Sequence, residues 1–483
     1  MKKAKVFLLA AIAVTIAVMV VAYFTLFGSS DSYAESLPAD ATSIVRLDAK
    51  SFLSAAKLGP ADLLQLLLRS REAQTEGSAK SAGIDMKRPF YAFTTAPGEF
   101  GLLAAVEDLG ELEAFLAEEH TAGRASEVTR QRGFSWSVIE RKWLMAYDDS
   151  RVLVMGPAVG SAQDRLRTDM VRLLEQKHED SGLQSPLFEE LQKADEPLVA
   201  VLAPEILPGS SRSLLSQFHV NSMDDALLRL SLETDDNELE LEADVIAKSA
   251  NVEEQMKRLN RLLRPVKGAL LDHAHADNVV WMAANLQGND LLDALRSNQS
   301  VRTALIALNL VFDLDKIIRA IDGDVALELT SADAFRALDF QVKDFCLTAQ
   351  VADTYFLRDA SSWGNQLFGV RSLTPQDFAL NLGTSSLFFG VDDHTFYLSS
   401  DRGLPTAGND DLSRQRGDIK GARFFATIAL PQLFRQLDAD DELPAAFRQF
   451  ERLSLTMEEV GEFKLKLIAP RGMNIARELL LTE

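Results

Sequence analysis

The tetrapeptide Arg-Leu-Ser-Leu occurs twice in the chain, at residues 229–232 and at residues 452–455. Each copy is followed by a segment in which apolar and charged residues alternate, ELELEA at residues 238–243 and EFKLKL at residues 462–467. Alternation with a period of two is typical of a β-strand with one buried face and one solvated face. An apolar run that ends in a proline, Pro204 or Pro431, precedes each copy. The sequence therefore predicts that one strand–turn–strand–strand unit is present twice.

Further matching segments extend this repeat over most of the chain. SIVRL at residues 43–47 matches NVVWM at 278–282, and FGLLAAV at 100–106 matches FCLTAQV at 345–351. A hairpin follows in each half, with paired aspartates at residues 148–149 and 392–393, because aspartate favours tight turns. We therefore predict an α+β fold of two duplicated halves, each a mainly antiparallel sheet with helices on one face.

The halves are predicted to differ in the segment that precedes the last unit. The first half carries helical segments at residues 161–178 and 186–193, whereas the matching stretch of the second half, residues 401–421, is polar and glycine-rich and is predicted to be a loop. The other helices are predicted at residues 49–58, 61–71, 111–119, 252–263, 289–295, 301–321, 355–367 and 475–481.

The N-terminus predicts a membrane anchor. Residues 1–5 contain three lysines, and an uncharged apolar run follows from Val6 to Phe27. About 20 helical residues cross a ~30 Å hydrocarbon core, and lysines on the N-terminal side orient that end toward the cytoplasm. We expect a single-pass protein of the cell membrane with the bulk of the chain on the periplasmic or extracytoplasmic side. The alternative is a signal peptide cleaved after Ala34.

The predicted organisation has five parts. They are a lysine-rich cytoplasmic start and membrane anchor at residues 1–28, a stalk at 29–40, the first α+β repeat at 41–247, a helix and linker at 248–276, and the second α+β repeat with a C-terminal helix at 277–483.

The composition indicates a globular chain, and the net charge restricts the kinds of partner that it can bind. The 483 residues are 47% hydrophobic and 25% charged, which is typical of a globular protein and excludes a wholly disordered chain. The net charge of −21 repels phosphate backbones, so nucleic acid is not expected as a partner.

The chain has one cysteine, Cys346, so no intrachain disulfide can form. In the predicted strand at residues 345–351, alternation places Cys346 with Thr348 and Gln350, opposite the face of Ala349 and Val351. A buried, inert thiol is the ordinary expectation. The alternation favours a thiol that faces away from the main core and is partly buried beneath a covering segment.

The segment DHAHAD at residues 272–277 holds the best candidates for metal ligands. In an extended chain His273 and His275 would face one way, with Asp272 and Asp277 at the flanks. Zinc needs three or four such ligands, and a polar linker is the more ordinary interpretation, so no metal site is assigned.

No other segment carries a pattern of catalytic or cofactor-binding residues. The sequence contains neither a nucleophile elbow nor a phosphate-binding glycine loop, and no cofactor is expected. The acidic cluster at residues 438–442 lacks the glycine of a calcium loop and is predicted to be a solvated loop.

Two stretches resemble a known family. They are LPADA at residues 37–41 with the strand that follows, and GID at 83–85 with PFYAF at 89–93 and GLLAAV at 101–106. They are similar to exported or membrane-anchored Bacteroidetes proteins catalogued as domain of unknown function 4836, over most of residues 37–470. The resemblance implies location and fold, and it carries over no catalytic residue. The chain departs from that family's common pattern because it lacks a lipid-acceptor cysteine.

These observations favour a non-catalytic binding or scaffold role in the cell envelope. The partner would be another envelope protein or an exported polypeptide. One alternative is an envelope hydrolase whose carboxylates only the fold brings together. Another is a structural spacer without a ligand.

Overall fold

The computed structural model describes residues 31–55, 82–95, 98–216, 220–235, 237–297, 299–309, 313–332, 344–363, 369–382, 385–405, 408–437 and 447–481. Three predicted features lie outside these residues: the membrane anchor from Val6 to Phe27, the helix at residues 61–71 and the acidic cluster at residues 438–442. Within the described ranges, no helix combines the length and the apolar character that crossing a membrane requires.

The chain divides into two compact units. The N-terminal unit contains the described residues up to 253 and the described part of residues 471–483, and the C-terminal unit contains the described part of residues 254–470.

The N-terminal unit is built on ten described strands. They are β1 Ala41–Leu47, β2 Phe90–Thr95, β3 Phe100–Ala105, β4 Thr129–Gln131, β5 Phe134–Ile139, β6 Trp143–Tyr147, β7 Arg151–Gly156, β8 Leu198–Leu202, β9 Ala226–Asp235 and β10 Glu238–Ala247. Its helices are Ala49–Ala55, Leu109–Thr121, Ala162–Glu175, Pro186–Gln192, Gly209–Ser216 and Ile475–Leu481. The helix Ala250–Leu262 contains the boundary between the units.

The C-terminal unit begins with a two-residue strand and then repeats the same number of strands. They are β11 Leu263–Arg264, β12 Val280–Gln287, β13 Ile321–Leu329, β14 Phe345–Val351, β15 Gly369–Ser372, β16 Asp377–Leu382, β17 Ser385–Asp392, β18 Thr395–Ser399, β19 Phe424–Ala429, β20 Arg452–Met457 and β21 Glu462–Ile468. Its helices are Gly288–Ser297, Gln299–Asn309, Leu314–Ala320, Asp410–Arg414, Arg416–Ile419 and Leu430–Leu437.

The two units share one strand order. In the N-terminal unit the hydrogen-bonded order is β4-β5-β6-β7-β3-β2-β1-β8-β9-β10, with every pair antiparallel. In the C-terminal unit it is β15-β16-β17-β18-β14-β13-β12-β19-β20-β21, again with every pair antiparallel. Each matched strand keeps its place, and the sequence prediction of mainly antiparallel sheet is confirmed.

The two Arg-Leu-Ser-Leu segments occupy equivalent strands. Residues 229–232 lie in β9, between β8 and β10, and residues 452–455 lie in β20, between β19 and β21. In each unit the preceding strand leads into a helical turn that contains the matching proline, Pro204 in Pro204–Ile206 and Pro431 in Leu430–Leu437. The predicted order of these segments is therefore confirmed.

The core of the N-terminal unit lies on the face of the sheet that helices cover. Tyr91, Leu103, Leu153, Ala146 and Trp136 are successive cross-strand partners in β2, β3, β7, β6 and β5, and all five are buried. Directly opposed residues on antiparallel strands point to the same face. The helices Ala162–Glu175 and Pro186–Gln192 close this face, so the helical segments predicted at residues 161–178 and 186–193 are confirmed.

The C-terminal unit has helices on both faces of its sheet, so the prediction of helices on one face is wrong for this unit. Ala326 and Val325 are neighbours in β13 and belong to different core clusters. The cluster around Ala326 receives Leu412 and Ile419 from the helices Asp410–Arg414 and Arg416–Ile419. The cluster against which Val325 packs is also contacted by the helix Leu314–Ala320.

Two predictions of local structure are also wrong in the C-terminal unit. The sequence predicts a loop over residues 401–421, but two short helices form there, because Leu412, Ile419 and Ala422 bury their side chains although the stretch is polar overall. The sequence predicts a helix over residues 355–367, but the described part forms two 3-10 turns, Tyr355–Leu357 and Ala360–Ser362.

Cys346 lies on the predicted face of β14. It is directly opposite Glu328 of β13 and Ser399 of β18, whereas Ala349 and Val351 face the other cluster. The predicted partial burial is wrong, because the side chain is only 1% exposed. Burial raises the pKa of the Cys346 thiol to about 12, so the group is protonated at neutral pH and unreactive.

Gly101 provides a test of strand packing in the N-terminal unit. It lies opposite Phe93, and a Cβ at position 101 would overlap the buried Phe93 ring. We expect Gly101→Ala to lower the free energy of unfolding by about 1–3 kcal/mol, because the ring must leave its preferred position. Urea unfolding followed by tryptophan fluorescence measures the change.

Gly369→Ala is the matched control. Gly369 also lies in a strand, and a Cβ there meets nothing within 4 Å. An equal loss of stability in both variants would contradict the steric explanation.

Candidate ligand pocket in the C-terminal unit

The four candidate metal ligands are held by separate partners. Nδ1 of His273 lies 3.3 Å from the carbonyl oxygen of Pro405, and Asp272 accepts a hydrogen bond of 3.5 Å from Arg416. His275 bonds instead to Glu328. Among the described residues no group of three or more His, Cys, Asp or Glu side chains, Asp277 included, is placed to hold a metal ion.

His275 and Glu328 form a partly buried pair. Glu328 is 3% exposed, and its Oε1 lies 2.5 Å from His275 Nδ1 while its Oε2 accepts the backbone N–H of His275 at 2.9 Å. The hydrogen bond to Glu328 raises the pKa of His275 against the opposing effect of burial, with further support from the charges of Asp277 and Asp401. Sequence reasoning missed Glu328, although a lone acid inside the apolar run VALELT of β13 was a signal.

Asn409 fixes the loop beyond His275 against a helix. Its Nδ2 donates to the carbonyl oxygens of His275 at 2.9 Å and Ala276 at 3.3 Å, and to Oδ1 of Asn278 at 3.3 Å. Its Oδ1 accepts the backbone N–H groups of Asp411 and Leu412, which caps the helix Asp410–Arg414. One buried side chain therefore holds two walls of a cavity together.

That cavity, the ligand pocket, has a volume of about 270 Å³ and lies wholly within the C-terminal unit. Water occupies about 30 Å³ per molecule in the liquid, so the space suits a small organic molecule rather than a single ion. Its lining residues are Asn278, Asn409, Asp411, Leu412, Arg414, Gln415, Thr427, Ala429, Pro431, Gln432, Arg435, Glu451 and Arg452.

Two buried polar groups of the lining have no partner within the described part of the chain. They are Nδ2 of Asn278 and Oγ1 of Thr427, on residues that are 6% and 5% exposed. Most buried polar groups in proteins are hydrogen-bonded, and an unsatisfied one costs about 1–3 kcal/mol. The lining therefore includes an amide and a hydroxyl whose hydrogen-bonding capacity is unused within the described part of the chain.

Arg452 adds a cationic group to the same surface. It is directly opposite Ala429 in the β19–β20 pair, two positions from Thr427 along β19. The three residues therefore share one face of the sheet. No residue that the structure describes forms an ion pair with Arg452.

The lining carries a small excess of positive charge although the chain as a whole is acidic. Three arginines, at positions 414, 435 and 452, lie beside two acids, Asp411 and Glu451, which leaves a formal balance of +1. The whole chain has a net charge of −21. A pocket of this kind suits a ligand with one negative charge.

The paired aspartates of the hairpins have a structural role. Asp148 accepts hydrogen bonds from the backbone and hydroxyl of Ser150 and pairs with Arg151. Burial alone would raise the pKa of Asp148, but these hydrogen bonds and the arginine lower it. In the equivalent hairpin Asp393 and His394 have φ of 38° and 63°, which is typical of a tight turn.

The raised pKa of His275 predicts how stability depends on pH. Because the folded-state pKa lies above the ordinary histidine pKa of about 6.5, the His275–Glu328 pair contributes its full stability below that ordinary pKa. The contribution is lost as the pH rises through the folded-state pKa. We expect the free energy of unfolding to fall over this interval in the wild type, and the fall to be smaller in His275→Asn.

Urea unfolding at a series of pH values measures this dependence. His178→Asn is the control. His178 Nδ1 also lies near a carboxylate, 3.5 Å from Oε1 of Glu35, but His178 is exposed and Glu35 is partly exposed. An unchanged pH dependence in His275→Asn would contradict the assignment.

Comparisons with known proteins identify the family and no activity. Two solved structures, crystal forms I and III of TP0453, each cover 50% of this chain and 89% or 90% of their own, with 11% sequence identity and a TM-score of 0.28. Similarity at that level carries no argument about function. No curated protein matches the chain. The sequence pattern of the family described as Domain of unknown function (DUF4836) matches residues 33–445. Because that match spans most of the chain, the protein belongs to the DUF4836 family, as its sequence predicted.

Proposed function

We propose that this chain is a non-catalytic binding protein of the cell envelope, held at the membrane by Val6 to Phe27 and carrying its ligand site in the C-terminal unit. The apolar, uncharged run after three lysines supports the anchor and the extracytoplasmic orientation. The ligand pocket supports the binding role.

One observation carries the binding role: Asn278 and Thr427 leave buried hydrogen-bonding groups unsatisfied at the wall of one pocket. Such groups destabilise the empty protein, and a bound ligand that pairs with them recovers that loss. Asn409 holds the surrounding loop and helix together through hydrogen bonds that involve no ligand.

We also infer that the two units arose by duplication. The shared strand order and the repeated Arg-Leu-Ser-Leu segment support this. The N-terminal copy then retains a framework role, while the C-terminal copy carries the pocket.

The alternative role as a hydrolase lacks a supporting observation. A fold-assembled acid would show a raised pKa beside a second carboxylate. The pKa values of the Asp148 and Glu190 carboxyl groups are lowered instead. For both, burial opposes the shift, but hydrogen bonds and cations lower the pKa.

The anchor is tested by extracting membranes that contain the full chain with a C-terminal tag. We expect the tagged protein to stay in the membrane pellet after alkaline carbonate treatment, because an apolar helix is stable only in lipid. A variant that lacks residues 6–27 is the control and should be released. Release of the full-length chain would contradict the anchor.

The pocket is tested with Thr427→Val and the control Thr95→Val. Both substitutions remove a buried hydroxyl that has no partner among described residues, and Thr95 lies in the other unit. We expect each to raise the free energy of unfolding of the empty protein by about 1–3 kcal/mol.

The two variants should differ when small molecules are present. Thermal unfolding is measured with galacturonate, inorganic phosphate, galactose and galactosamine, which cover anionic, neutral and cationic ligands. A ligand at 100 times its Kd adds about 2.7 kcal/mol to stability. We expect at least one probe to raise the Tm of the wild type and Thr95→Val, and to have little effect on Thr427→Val. A panel in which no probe shifts the wild type would overturn the binding role.

A further inference from the structure

We propose that the ligand is a small hydroxylated carboxylate, about the size of a sugar acid, whose carboxylate binds Arg452. This inference rests on the proposed binding function and assigns its ligand class. It comes from a difference between two equivalent positions, which hold Asp244 in the N-terminal unit and Ile468 in the C-terminal unit.

The N-terminal unit shows what the equivalent arginine binds. Arg229, the first residue of its Arg-Leu-Ser-Leu segment, lies directly opposite Asp244 in the β9–β10 pair. Its Nε and Nη2 donate to Oδ2 of Asp244 at 3.0 and 2.6 Å. Guanidinium and carboxylate are well matched because the planar group presents several donors to the acid. The framework at this position therefore suits an arginine–carboxylate pair.

The C-terminal unit keeps the arginine and lacks the acid. Arg452 lies directly opposite Ile468 in the β20–β21 pair, so an apolar side chain stands where the other unit has Asp244. The ligand pocket adjoins Arg452 on the face that it shares with Ala429. A carboxylate from outside the chain, bound on the pocket side of Arg452, can therefore supply the charge that Asp244 supplies to Arg229.

The rest of the lining indicates hydroxyl groups on the ligand. Thr427 lies two residues along β19 from Ala429, the residue directly opposite Arg452. Two residues of a strand span about 6.6 Å. Asn278 and Thr427 bring to the lining an amide and a hydroxyl without a described partner, and ligand hydroxyl groups can pair with both types of group. The amides of Gln415 and Gln432 also line the pocket and suit groups that both donate and accept.

Charge favours a carboxylate over a phosphate. The formal balance of +1 in the lining matches one negative charge, whereas phosphate carries more charge near neutral pH. Asp411 and Glu451 would repel the additional charge.

The experiment measures binding to the full chain in detergent by titration calorimetry. The probes are galacturonate, the neutral sugar galactose and inorganic phosphate. We expect galacturonate to bind, and galactose and phosphate to bind at least about tenfold more weakly, because neither supplies a single carboxylate with hydroxyls.

Two substitutions in the C-terminal unit test the role of Arg452. Arg452→Gln should weaken galacturonate binding about tenfold or more, as expected for the loss of a charge-assisted hydrogen bond. Ile468→Asp should have a similar effect. The new carboxylate would pair with Arg452, as Asp244 pairs with Arg229, and would compete with the carboxylate of the ligand. Ile468 is half-buried, so the substitution is compatible with folding, and thermal unfolding checks this.

The reciprocal substitutions in the N-terminal unit are the controls. Arg229→Gln and Asp244→Ile change the equivalent positions outside the pocket and should leave galacturonate affinity unchanged. Tighter binding of phosphate or galactose than of galacturonate would overturn the ligand class while leaving the binding function intact. Galacturonate binding that survives both Arg452→Gln and Ile468→Asp would also overturn it. If no probe binds the wild type, both the ligand class and the binding function are overturned.

Discussion

The structure depends on the register of its antiparallel strand pairs. Cross-strand partners point to the same face, so register alone decides that Arg229 meets Asp244, that Arg452 meets Ile468 and that Glu328 lies beside Cys346. A slip of one residue would turn Arg452 away from the pocket and move the core side chains of its strand into solvent. The burial of the core therefore fixes the register, and the register fixes the positions of the polar groups at the pocket.

The same arrangement of strands is covered by different helices in the two units. In the N-terminal unit the segment between β7 and β8 forms the helices Ala162–Glu175 and Pro186–Gln192, whose apolar residues close the sheet. Arg46 donates to the carbonyl oxygens of Leu191, Ala194 and Glu196, which holds that cover in place. The equivalent segment of the C-terminal unit forms only the shorter helices Asp410–Arg414 and Arg416–Ile419 among its described residues. Shorter helices cover less of the sheet, and residues of the helix Asp410–Arg414 line the pocket.

The repeated strand units could be predicted from the sequence, but the pocket could not. Period-two alternation and the repeated Arg-Leu-Ser-Leu segment depend on neighbouring residues, and they were sufficient to match β8–β10 with β19–β21. The pocket depends on contacts between distant residues, such as Asn409 with Asn278, 131 positions apart, which no local pattern indicates. The polar character of residues 401–421 also concealed their buried leucine and isoleucine. The sequence did contain one signal. When the two repeats are aligned, Ile468 stands at the position of Asp244, so Arg452 lacks the acidic residue that the equivalent Arg229 has.

The position of the unsatisfied groups also explains how selectivity can arise without a moving lid. Asn409 bonds both to the loop at residues 275–278 and to the helix Asp410–Arg414, so two walls are fixed by contacts that do not involve a ligand. A fixed wall cannot adjust its donors to a poorly matched molecule, and the cost of leaving Asn278 and Thr427 unpaired then persists in the complex. In the proposed complex, a molecule that pairs with both groups and with Arg452 removes that cost. In the proposed complex, the stability lost at these buried groups is therefore the free energy that separates a matched ligand from a mismatched one.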